Sequence, residues 1–434
     1  MARLPKIIFS AYSTTTLKMA GGLMQLVAYG AQDVYLTGNP EVTFFQAKYK
    51  RHTNFAMENI EQTVNGTAAN SGRVSVTVAR NGDLVGDMYL ELESDIAATA
   101  TAEAGDCNWV AERAVSSVEL SIGGQRIDKH YQKWWRLYSE LYLDEAKKAT
   151  WGKMTTAADG STVYLPLVFF FNRNPGLYLP LIALQYHEVR IDIDLASDFD
   201  TFLNKSVFKV WANYVYLDTE ERRRFAQKGH EYLIEQVQHT GTDTVDAANT
   251  KQVRLSYNHP VKELVWCFSN TAAKSSLWNF TAKNLVTEVA LQSDQTASGL
   301  DSNCFVPVSN LGTPMYATEL STEAFTEENA GQLDTFKLVL NGQDRFKEQK
   351  GKYFNQVQAY NHHSGCPAPG VYSYSFALKP EEHQPTGTCN FSRIDNAQVA
   401  VKMGPGTATS MHMFATNYNV LRIQSGMGGL AFSN

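Results

Sequence analysis

Two histidine–glutamate pairs are the residues of this chain whose types best suit catalysis. They are His187-Glu188 and His230-Glu231. The zinc-protease motif HExxH needs a second histidine one helical turn later, so that both rings face one metal. Isoleucine occupies that position after both pairs. Each pair also lies in a segment that alternates apolar and polar residues, as a strand does. We therefore predict that neither pair binds zinc.

Four further histidines could be gathered into a metal site of the cupin type, since cupins share the jelly-roll shape. They are His362, His363, His383 and His412. A His-x-His pair with a nearby glutamate would support this idea, but the sequence has none. It also has no GxxxxGK[ST] phosphate loop. We therefore predict isolated surface histidines, no metal, no cofactor and no enzymatic activity.

Composition indicates a folded protein that does not coat nucleic acid. Of the 434 residues, 44% are hydrophobic and 19% are charged, which is typical of a chain that forms a core. The formal net charge of −6 lacks the basic excess of nucleic-acid-binding proteins. The run Arg222-Arg223-Arg224 follows two glutamates, so we interpret it as a solvated linker or an ion-paired contact. Five widely spaced cysteines, an odd number, indicate folding in a reducing environment, and the sequence leaves room for one bridge.

Alternating apolar and polar residues predict many short strands joined by tight turns. Residues 73–78 and 88–93 alternate in this way, and Asn81-Gly82 lies between them. Asn-Gly favours a type I′ turn, in which both central residues need a positive φ. We therefore predict a hairpin at Asn81-Gly82. The same reasoning predicts hairpins at Gly123-Gly124 and Asn341-Gly342, each of which follows an alternating segment.

Three pairs of similar segments occur in the same order in the two halves of the chain. The pairs are Val74–Val78 with Val253–Tyr257, Gly123-Gly124 with Asn341-Gly342, and Trp211–Tyr214 with Phe414–Tyr418. One such pair carries little weight, because turn chemistry converges readily. Three pairs in the same order predict that one fold was built twice.

Helical periodicity is scarce. The clearest helical pattern runs from Arg126 to Lys148, where large apolar side chains would form one face after an Asp128 N-cap. One helix among many short strands favours a decorated β-sandwich over an α/β fold. Around Asp218–Arg224 the charge density rises and the apolar pattern stops, which indicates a boundary between the halves.

Several long blocks resemble the major capsid proteins of chlorella viruses, which belong to the nucleocytoplasmic large DNA virus group. The blocks are Gly21–Pro40, Phe44-Phe45, His52–Phe55, Ile122–Tyr131, Leu179–Val189, His230–Glu235, Leu340–Phe346, Cys389–Asn396 and Asn419–Ala431. They are spread from Met19 to the C-terminus, and the long ones are too specific for a chance match.

The resemblance implies an all-β fold of two consecutive eight-stranded antiparallel jelly rolls, a double jelly roll, with a few inserted short helices. It also implies homotrimers with a pseudo-hexagonal outline that tile the icosahedral shell of a large double-stranded DNA virus. The expected partners are other copies of the chain, in the trimer and in neighbouring capsomers, and minor capsid proteins and the internal membrane on the inner face. No specific nucleic-acid binding is expected. The expected location is the capsid shell of the virion, assembled in the host cytoplasm.

The predicted division of the chain follows from the same resemblance and from the charged boundary. It consists of an N-terminal arm over residues 1–44, a first jelly roll over 45–221, a linker over 222–230 and a second jelly roll over 231–434. Residues 1–18 have no expected counterpart in the family. Two interpretations stay open for them: a leader, or a start assigned upstream of the true one at Met19.

Family members carry glycans on asparagines in loops whose pattern this sequence does not reproduce. Four Asn-x-Ser/Thr sequons occur, at Asn65, Asn204, Asn279 and Asn390. A sequon acts only if the chain meets a glycosyltransferase. Glycosylation at these four asparagines is therefore a hypothesis.

Two alternatives to a major capsid subunit stay open from the sequence. A minor capsid paralogue would have the same fold. A carbohydrate-binding β-sandwich module would account equally well for the aromatic content and the strand pattern.

Overall fold

The computed structural model describes most of the chain, which divides into two units. The described residues are 30–94, 109–156, 161–245, 250–269, 305–307, 314–316, 332–404 and 409–433. The first unit ends at His52, and its described part contains one short helix, α1 (Val34–Thr37). The second unit, residues 53–434, contains all the described strands.

The first half of the second unit contains two antiparallel sheets. Its strands are β1 (Phe55–Gln62), β2 (Val64–Asn65), β3 (Arg73–Thr77), β4 (Leu84–Ser94), β5 (Val115–Ile122), β6 (Gln125–Tyr131), β7 (Thr162–Pro166), β8 (Leu179–Pro180), β9 (Val189–Leu195) and β10 (Leu203–Leu217). Sheet A has the order β1-β10-β4-β7, with β8 beside β4. Sheet B has the order β2-β3-β9-β5-β6.

The second half contains two more large sheets. Its strands are β11 (His230–Val245), β12 (Lys251–Leu255), β13 (Pro260–Ser269), β14 (Phe305–Pro307), β15 (Pro314–Tyr316), β16 (Leu333–Leu340), β17 (Gln343–Asp344), β18 (Gln349–Lys350), β19 (Val371–Ser375), β20 (Cys389–Asn390), β21 (Ala397–Met403), β22 (Thr409–Gln424) and β23 (Met427–Leu430). Sheet C has the order β11-β22-β13-β19, with β20 beside β13 and β23 beside β22. Sheet D has the order β12-β21-β16-β17, with β18 beside β16, and β14 pairs with β15.

The two halves repeat one strand order. The path β1-β10-β4-β7 in sheet A corresponds to β11-β22-β13-β19 in sheet C. The path β3-β9-β5-β6 in sheet B corresponds to β12-β21-β16-β17 in sheet D. Two facing four-stranded antiparallel sheets with this connectivity form an eight-stranded jelly roll. The predicted all-β fold of two consecutive jelly rolls is therefore confirmed.

The three sequence pairs that predicted a duplication fall on corresponding strands. The first pair lies at β3 and β12, the second at the β5–β6 and β16–β17 turns, and the third on β10 and β22. The two members of each pair therefore occupy equivalent positions in the two jelly rolls. The sequence similarity follows from shared structural demands at these positions, namely a buried alternating strand or a tight turn.

Two of the three predicted hairpins are confirmed, and one is wrong. Gly123-Gly124 and Asn341-Gly342 all have positive φ and join paired strands. Asn81 and Gly82 do not have positive φ, and the strands that they connect, β3 and β4, belong to different sheets. Glycine is needed at position 82 for another reason: a Cβ there would lie 2.9 Å from Cβ of Tyr214.

Each sandwich closes around its own apolar core. In the first, Leu90 and Val210 of sheet A pack in one cluster with Val118 and Ile193 of sheet B. In the second, Trp266 of β13 stacks on Phe336 of β16, with ring centroids 4.3 Å apart, and so joins sheets C and D. The alternation along the strands determines which side chains enter these cores.

Short helices lie between the strands in the described residues. After α1 they are α2 (Val110–Ala114), α3 (Gln132–Leu141), α4 (Glu145–Thr155), α5 (Phe170–Arg173), α6 (Phe199–Phe202), α7 (Thr219–Gln227) and α8 (Gln358–His362). No helix in these ranges is long and apolar enough to cross a membrane. The few inserted helices that were predicted are thus present, and α7 overlaps the segment predicted as a linker.

The helix predicted from Arg126 to Lys148 is only partly correct. Its first residues belong to β6, because the hairpin at Gly123-Gly124 continues as a strand. Asp128 is not an N-cap; its buried carboxylate lies 2.9 Å from Nε2 of His130. The rest of the segment is broken into α3 and α4, and Asp144 caps α4 by accepting from the amide of Lys147 at 2.8 Å.

Candidate functional site: the interface between the two sandwiches

Strand β13 is buried on both faces, which places it at the boundary between the sandwiches. Leu264 and Trp266 belong to the second core, whereas Val265 and Cys267 pack into the first. An antiparallel sheet commonly leaves one face in water, but the run Val261–Phe268 is buried throughout. The outer face of sheet C is therefore covered, and the first half of the chain supplies the cover.

Helix α3 forms a central part of this cover. Its Trp134 packs against Phe414 of β22, with ring centroids 5.7 Å apart, while the adjacent Trp135 is buried in the first core. Every residue from Trp134 to Leu141 is buried. A helix enclosed on all sides must have partners for its polar side chains, since an unpaired buried charge is costly.

A cluster of four buried charges supplies those partners. Arg136 of α3 pairs with Glu140 one turn later, and its Nη1 lies 3.4 Å from Oε1 of Glu112 on α2. Lys148 of α4 places Nζ 3.2 Å from Oε2 of Glu140. Trp151 donates its indole N–H to Oε1 of Glu112 at 2.5 Å. We call Glu112, Arg136, Glu140 and Lys148 the α3 charge cluster.

The α3 charge cluster also binds the second half of the chain. The amide of Ala368 donates to Oε2 of Glu140 at 3.0 Å. Nζ of Lys148 donates to the carbonyl oxygen of Cys366. Backbone groups of the loop between α8 and β19 are thus satisfied by charges that the first half provides.

A second group of charges crosses the interface at Glu235 of β11. Arg173, at the end of α5 in the first half, places Nη2 2.9 Å from Oε2 of Glu235. Lys262 of β13, which has no exposed side-chain surface, places Nζ 2.8 Å from Oε1 of the same carboxylate. Burial alone would raise the pKa of Glu235, but the charges of Arg173 and Lys262 outweigh burial and hold the pKa well below its usual range.

A third group surrounds Glu263, the neighbour of Lys262. Tyr142, just after α3, donates its hydroxyl to Oε2 of Glu263 at 2.5 Å. Nε2 of His363 lies 2.5 Å from Oε1 of Glu263, and neither side chain has exposed surface. Nδ1 of His363 lies 3.5 Å from Oε1 of Glu381. We call Tyr142, Glu263, His363 and Glu381 the histidine cluster.

The imidazole ring of His363 is protonated in the histidine cluster. Burial alone would lower the pKa of His363, but the charge of Glu263 and the hydrogen bonds to Glu263 and Glu381 outweigh it and raise the pKa to about 9. Burial and the neighbouring Glu263 raise the pKa of Tyr142 well above its usual value, so its hydroxyl remains a donor. At neutral pH the interface therefore contains an imidazolium between two carboxylates.

These charges make the interface specific. Replacing a buried ion pair by apolar residues is often neutral for stability, whereas removing one partner costs about 3–5 kcal/mol. An apolar contact tolerates sliding, but paired charges are satisfied in one arrangement only. We interpret the three groups as the elements that select one relative placement of the two sandwiches.

The C-terminal hairpin forms a second contact between the halves. Tyr186 donates its amide to the carbonyl oxygen of Gly426 at 3.0 Å, and Nδ1 of His187 lies 2.9 Å from the carbonyl oxygen of Gly428. A Cβ on Gly428 would lie 2.7 Å from Leu184 and 3.2 Å from Ile122. Glycine is thus favoured, because a side chain at this position of β23 would have to displace Leu184 of the first sandwich.

Only one of the two histidine–glutamate pairs lies in a strand, because His187 and Glu188 precede β9, which begins at Val189. His230 and Glu231 begin β11, and Ile234 on the same strand is buried in the core. His187 serves the contact with β23. Within the described ranges, no three His, Cys, Asp or Glu side chains form a group that could hold a metal ion.

One prediction about the histidines is wrong. His363 was expected at the surface, but its ring is fully enclosed and paired with Glu263. His383 is half-buried, and its Nδ1 lies 3.6 Å from Oε1 of Glu235. Glu263 and Glu235, which attract the rings of His363 and His383, are 100 residues or more away in sequence, so the local pattern around the histidines could not reveal them.

The four predicted glycosylation sites differ in their surroundings. Asn65 on β2 is exposed. The half-buried Asn204 on β10 donates Nδ2 to Glu93 at 3.3 Å, and the exposed Asn390 accepts from the amide of Ser392 at 3.0 Å. Asn279 lies outside the described residues.

Sequence reasoning missed the charged residues of the interface. Lys262 and Glu263 interrupt an otherwise apolar strand, Val261–Phe268, and this interruption was the one available signal. A buried strand that contains a Lys-Glu pair implies partners elsewhere in the fold. The sequence did not reveal that Glu235 is the partner of Lys262, or that Tyr142 and His363 are the partners of Glu263.

Models of two capsid families match consecutive stretches of the chain. The major capsid protein N-terminus family matches residues 43–218. The large eukaryotic DNA virus major capsid protein family matches residues 221–429. The two stretches meet at the start of α7.

Curated relatives match over nearly the full chain. The major capsid protein of Paramecium bursaria Chlorella virus 1 is 43% identical over 462 residues, covering 96% of this chain and 100% of the relative. The major capsid protein of Pyramimonas orientalis virus is 42% identical, with the same coverage. Both similarities extend across the two sandwiches and the interface.

Solved structures show the same fold. The quasi-atomic model of the PBCV-1 virus capsid matches with a TM-score of 0.73 and 40% identity, covering 90% of this chain and 100% of that one. The Faustovirus major capsid protein matches with a TM-score of 0.66 and 12% identity, covering 93% and 97%. At 12% identity, the match to the Faustovirus protein shows the fold alone.

We expect the interface to weaken at alkaline pH. Because the pKa of His363 is raised from 6.5 to about 9, its contribution to the free energy of unfolding is fully present below about pH 6.5 and is lost as the pH rises through about 9. The contribution is on the order of 3 kcal/mol. Thermal unfolding midpoints measured from about pH 6 to about pH 10 would show the decline.

Two variants identify the source of this decline. His363→Asn removes the titrating ring and should flatten the alkaline decline, while lowering the midpoint at neutral pH because Glu263 loses its cation. His362→Asn is the control, since its ring meets the carbonyl oxygen of Leu378 and should leave the pH profile unchanged. An unchanged alkaline decline in His363→Asn would contradict the assignment.

The close approach of β23 gives a second prediction. Gly428→Val should destabilise the protein by about 1–3 kcal/mol, because its side chain would overlap Leu184 and Ile122. Gly152→Ala is the control: a Cβ at Gly152 would meet nothing within 4 Å, and alanine favours the helix, so this variant should lose no stability. Denaturant unfolding compares the two, and equal stability of both variants would show that β23 does not depend on this contact.

Proposed function

The chain belongs to the large eukaryotic DNA virus major capsid protein family, and we propose that it forms trimeric capsomers which tile the icosahedral shell of such a virus. It is a structural protein of the capsid shell, and its role is assembly. The full-length matches to major capsid proteins and the shared double jelly roll support this function.

One structural observation supports the trimer. The two jelly rolls share a strand order and are held side by side by a buried, charge-paired interface. Each copy therefore presents two similar sandwiches in one fixed relation. Three copies around a threefold axis would place six sandwiches in a ring, and a pseudo-hexagonal outline can tile a closed surface.

We propose the following division of labour along the chain. Residues 1–44 act as an arm, 45–221 and 231–434 form the two jelly rolls, and 222–230 link them. The strand sets change between β10 and β11, on either side of α7, which supports this division. Trimers would then bind neighbouring capsomers through their flanks, and minor capsid proteins and the internal membrane on the inner face.

Assembly in the host cytoplasm also remains a proposal. The wide spacing of the five cysteines supports a reducing environment. Among the described cysteines, Cys267, Cys366 and Cys389 are free thiols. No specific nucleic-acid binding is proposed, in line with the net charge of −6.

Glycosylation is proposed first for Asn65. It is exposed, and glycosyl transfer needs an accessible side-chain amide. Asn390 follows, and Asn204 is the weakest described candidate because its Nδ2 already donates to Glu93. The fourth candidate, Asn279, is proposed on its sequon alone.

Light scattering tests the trimer. A chain of 48.4 kDa predicts a particle of about 145 kDa in dilute neutral buffer. The capsomer should persist on dilution, because subunit interfaces of structural shells are large. A stable monomer at micromolar concentration would count against the proposal.

Intact-mass measurement of protein from virions tests glycosylation. We expect a mass above 48.4 kDa that decreases in Asn65→Gln and is unchanged in Asn204→Gln. A virion-derived mass equal to that of the unmodified chain would rule out all four sites.

A further inference from the structure

The most exposed apolar side chains of the described residues concentrate near the end of the first unit. Phe44, Phe45 and Tyr49 are 94%, 99% and 90% exposed. They lie in residues 43–52, which we call the aromatic–basic segment. Large exposed apolar groups close together mark surfaces that bind something.

The backbone presents the two phenylalanines at a turn. Phe44 and Phe45 form the turn, and the amide of Phe45 lies 3.4 Å from Oγ1 of Thr43, to which it donates. With exposures above nine-tenths, neither ring is covered by the neighbouring residues of its own unit. Both rings are therefore free to enter an apolar phase.

Positive charge follows directly after the turn. Lys48, Lys50 and Arg51 are exposed, and no acidic residue lies between Val42 and His52. This local excess of three positive charges contrasts with the net charge of −6 for the whole chain. The natural partner of the segment is thus a surface that is anionic outside and apolar beneath.

A lipid surface has that layered chemistry. Aromatic rings and the stems of lysine and arginine enter the headgroup–acyl boundary while the charged ends remain at the phosphates. A fluid acyl layer accepts two adjacent rings in any orientation, whereas a protein groove must be shaped for both. The segment contains no strand or helix that would add to a sheet or fill a helix-binding groove.

We propose that the aromatic–basic segment docks the protein onto an anionic lipid surface. Phe44 and Phe45 enter the boundary layer, and Lys48, Lys50 and Arg51 pair with lipid phosphates. The identification of that surface as the internal membrane rests on the proposed capsid function, but lipid binding itself does not. Each lost cation should weaken binding about fivefold, and binding should decrease with added salt.

Vesicle flotation with the full chain tests the proposal. We expect the protein to float with phosphatidylcholine vesicles that contain phosphatidylserine, and much less with pure phosphatidylcholine vesicles. The pair F44S/F45S should reduce binding at least tenfold, since it removes both inserted rings. The triple change K48Q/K50Q/R51Q should abolish the preference for phosphatidylserine.

Controls separate this role from a general surface effect and from assembly. Y360S removes an 89% exposed ring on α8, and R223Q removes an exposed charge on α7; both should bind vesicles like the parent. All variants should keep the parent melting temperature. Failure of the parent to float, or unchanged flotation of both segment variants, would overturn the proposal.

Light scattering on the same variants distinguishes the two proposals. Trimers that do not float would leave the capsid function standing and refute lipid docking. Monomeric chains that still float would support lipid docking and count against the capsid function. If F44S/F45S breaks the trimer and leaves flotation unchanged, the segment binds a second copy of the chain, and lipid docking is wrong.

Discussion

The burial of β13 on both faces is the constraint on which the rest of the structure depends. One face completes the second core through Trp266, and the other meets α3 through Val265 and Cys267. A sheet that is apolar on both faces must be covered on both. The second jelly roll therefore cannot present sheet C to water, and the first half must supply α3 and its neighbours. The two sandwiches form one unit for this reason.

The buried charges then select one relative placement of the two sandwiches, because apolar contact alone would allow several. Lys262 and Glu263 stand side by side on the covered strand, and each needs a partner there. From the first half, Arg173 reaches Glu235, the carboxylate that also pairs with Lys262, and Tyr142 reaches Glu263. His363 completes the set from the second half. Ion pairs of this kind add little net stability. They penalise every other placement, and a shell built from repeated units requires one placement.

Particular residues show how far the sequence pattern could be trusted. The hairpins at Gly123-Gly124 and Asn341-Gly342 were predictable, because a positive φ is a local demand. Asn81-Gly82 has the same local pattern but connects two sheets. Glycine is needed there because of the close contact with Tyr214, which is remote in sequence. Only the first part of the helix predicted from Arg126 is wrong, because the strand pairing of β6 with β5 outweighed its helical spacing.

The sequence by itself determined many of the strands, their alternation, two of the three predicted hairpin turns and, through its long family-like blocks, the double jelly roll. These properties depend on neighbours in the chain or on inherited blocks of residues. Only the tertiary structure decided which face of sheet C is covered, that His363 is buried, and why glycine is favoured at position 428. Each of these depends on groups more than 60 residues apart, such as Glu263 with His363 and Gly428 with Leu184. Spacing along the chain has no information about such contacts, because they exist only after the two sandwiches have packed together.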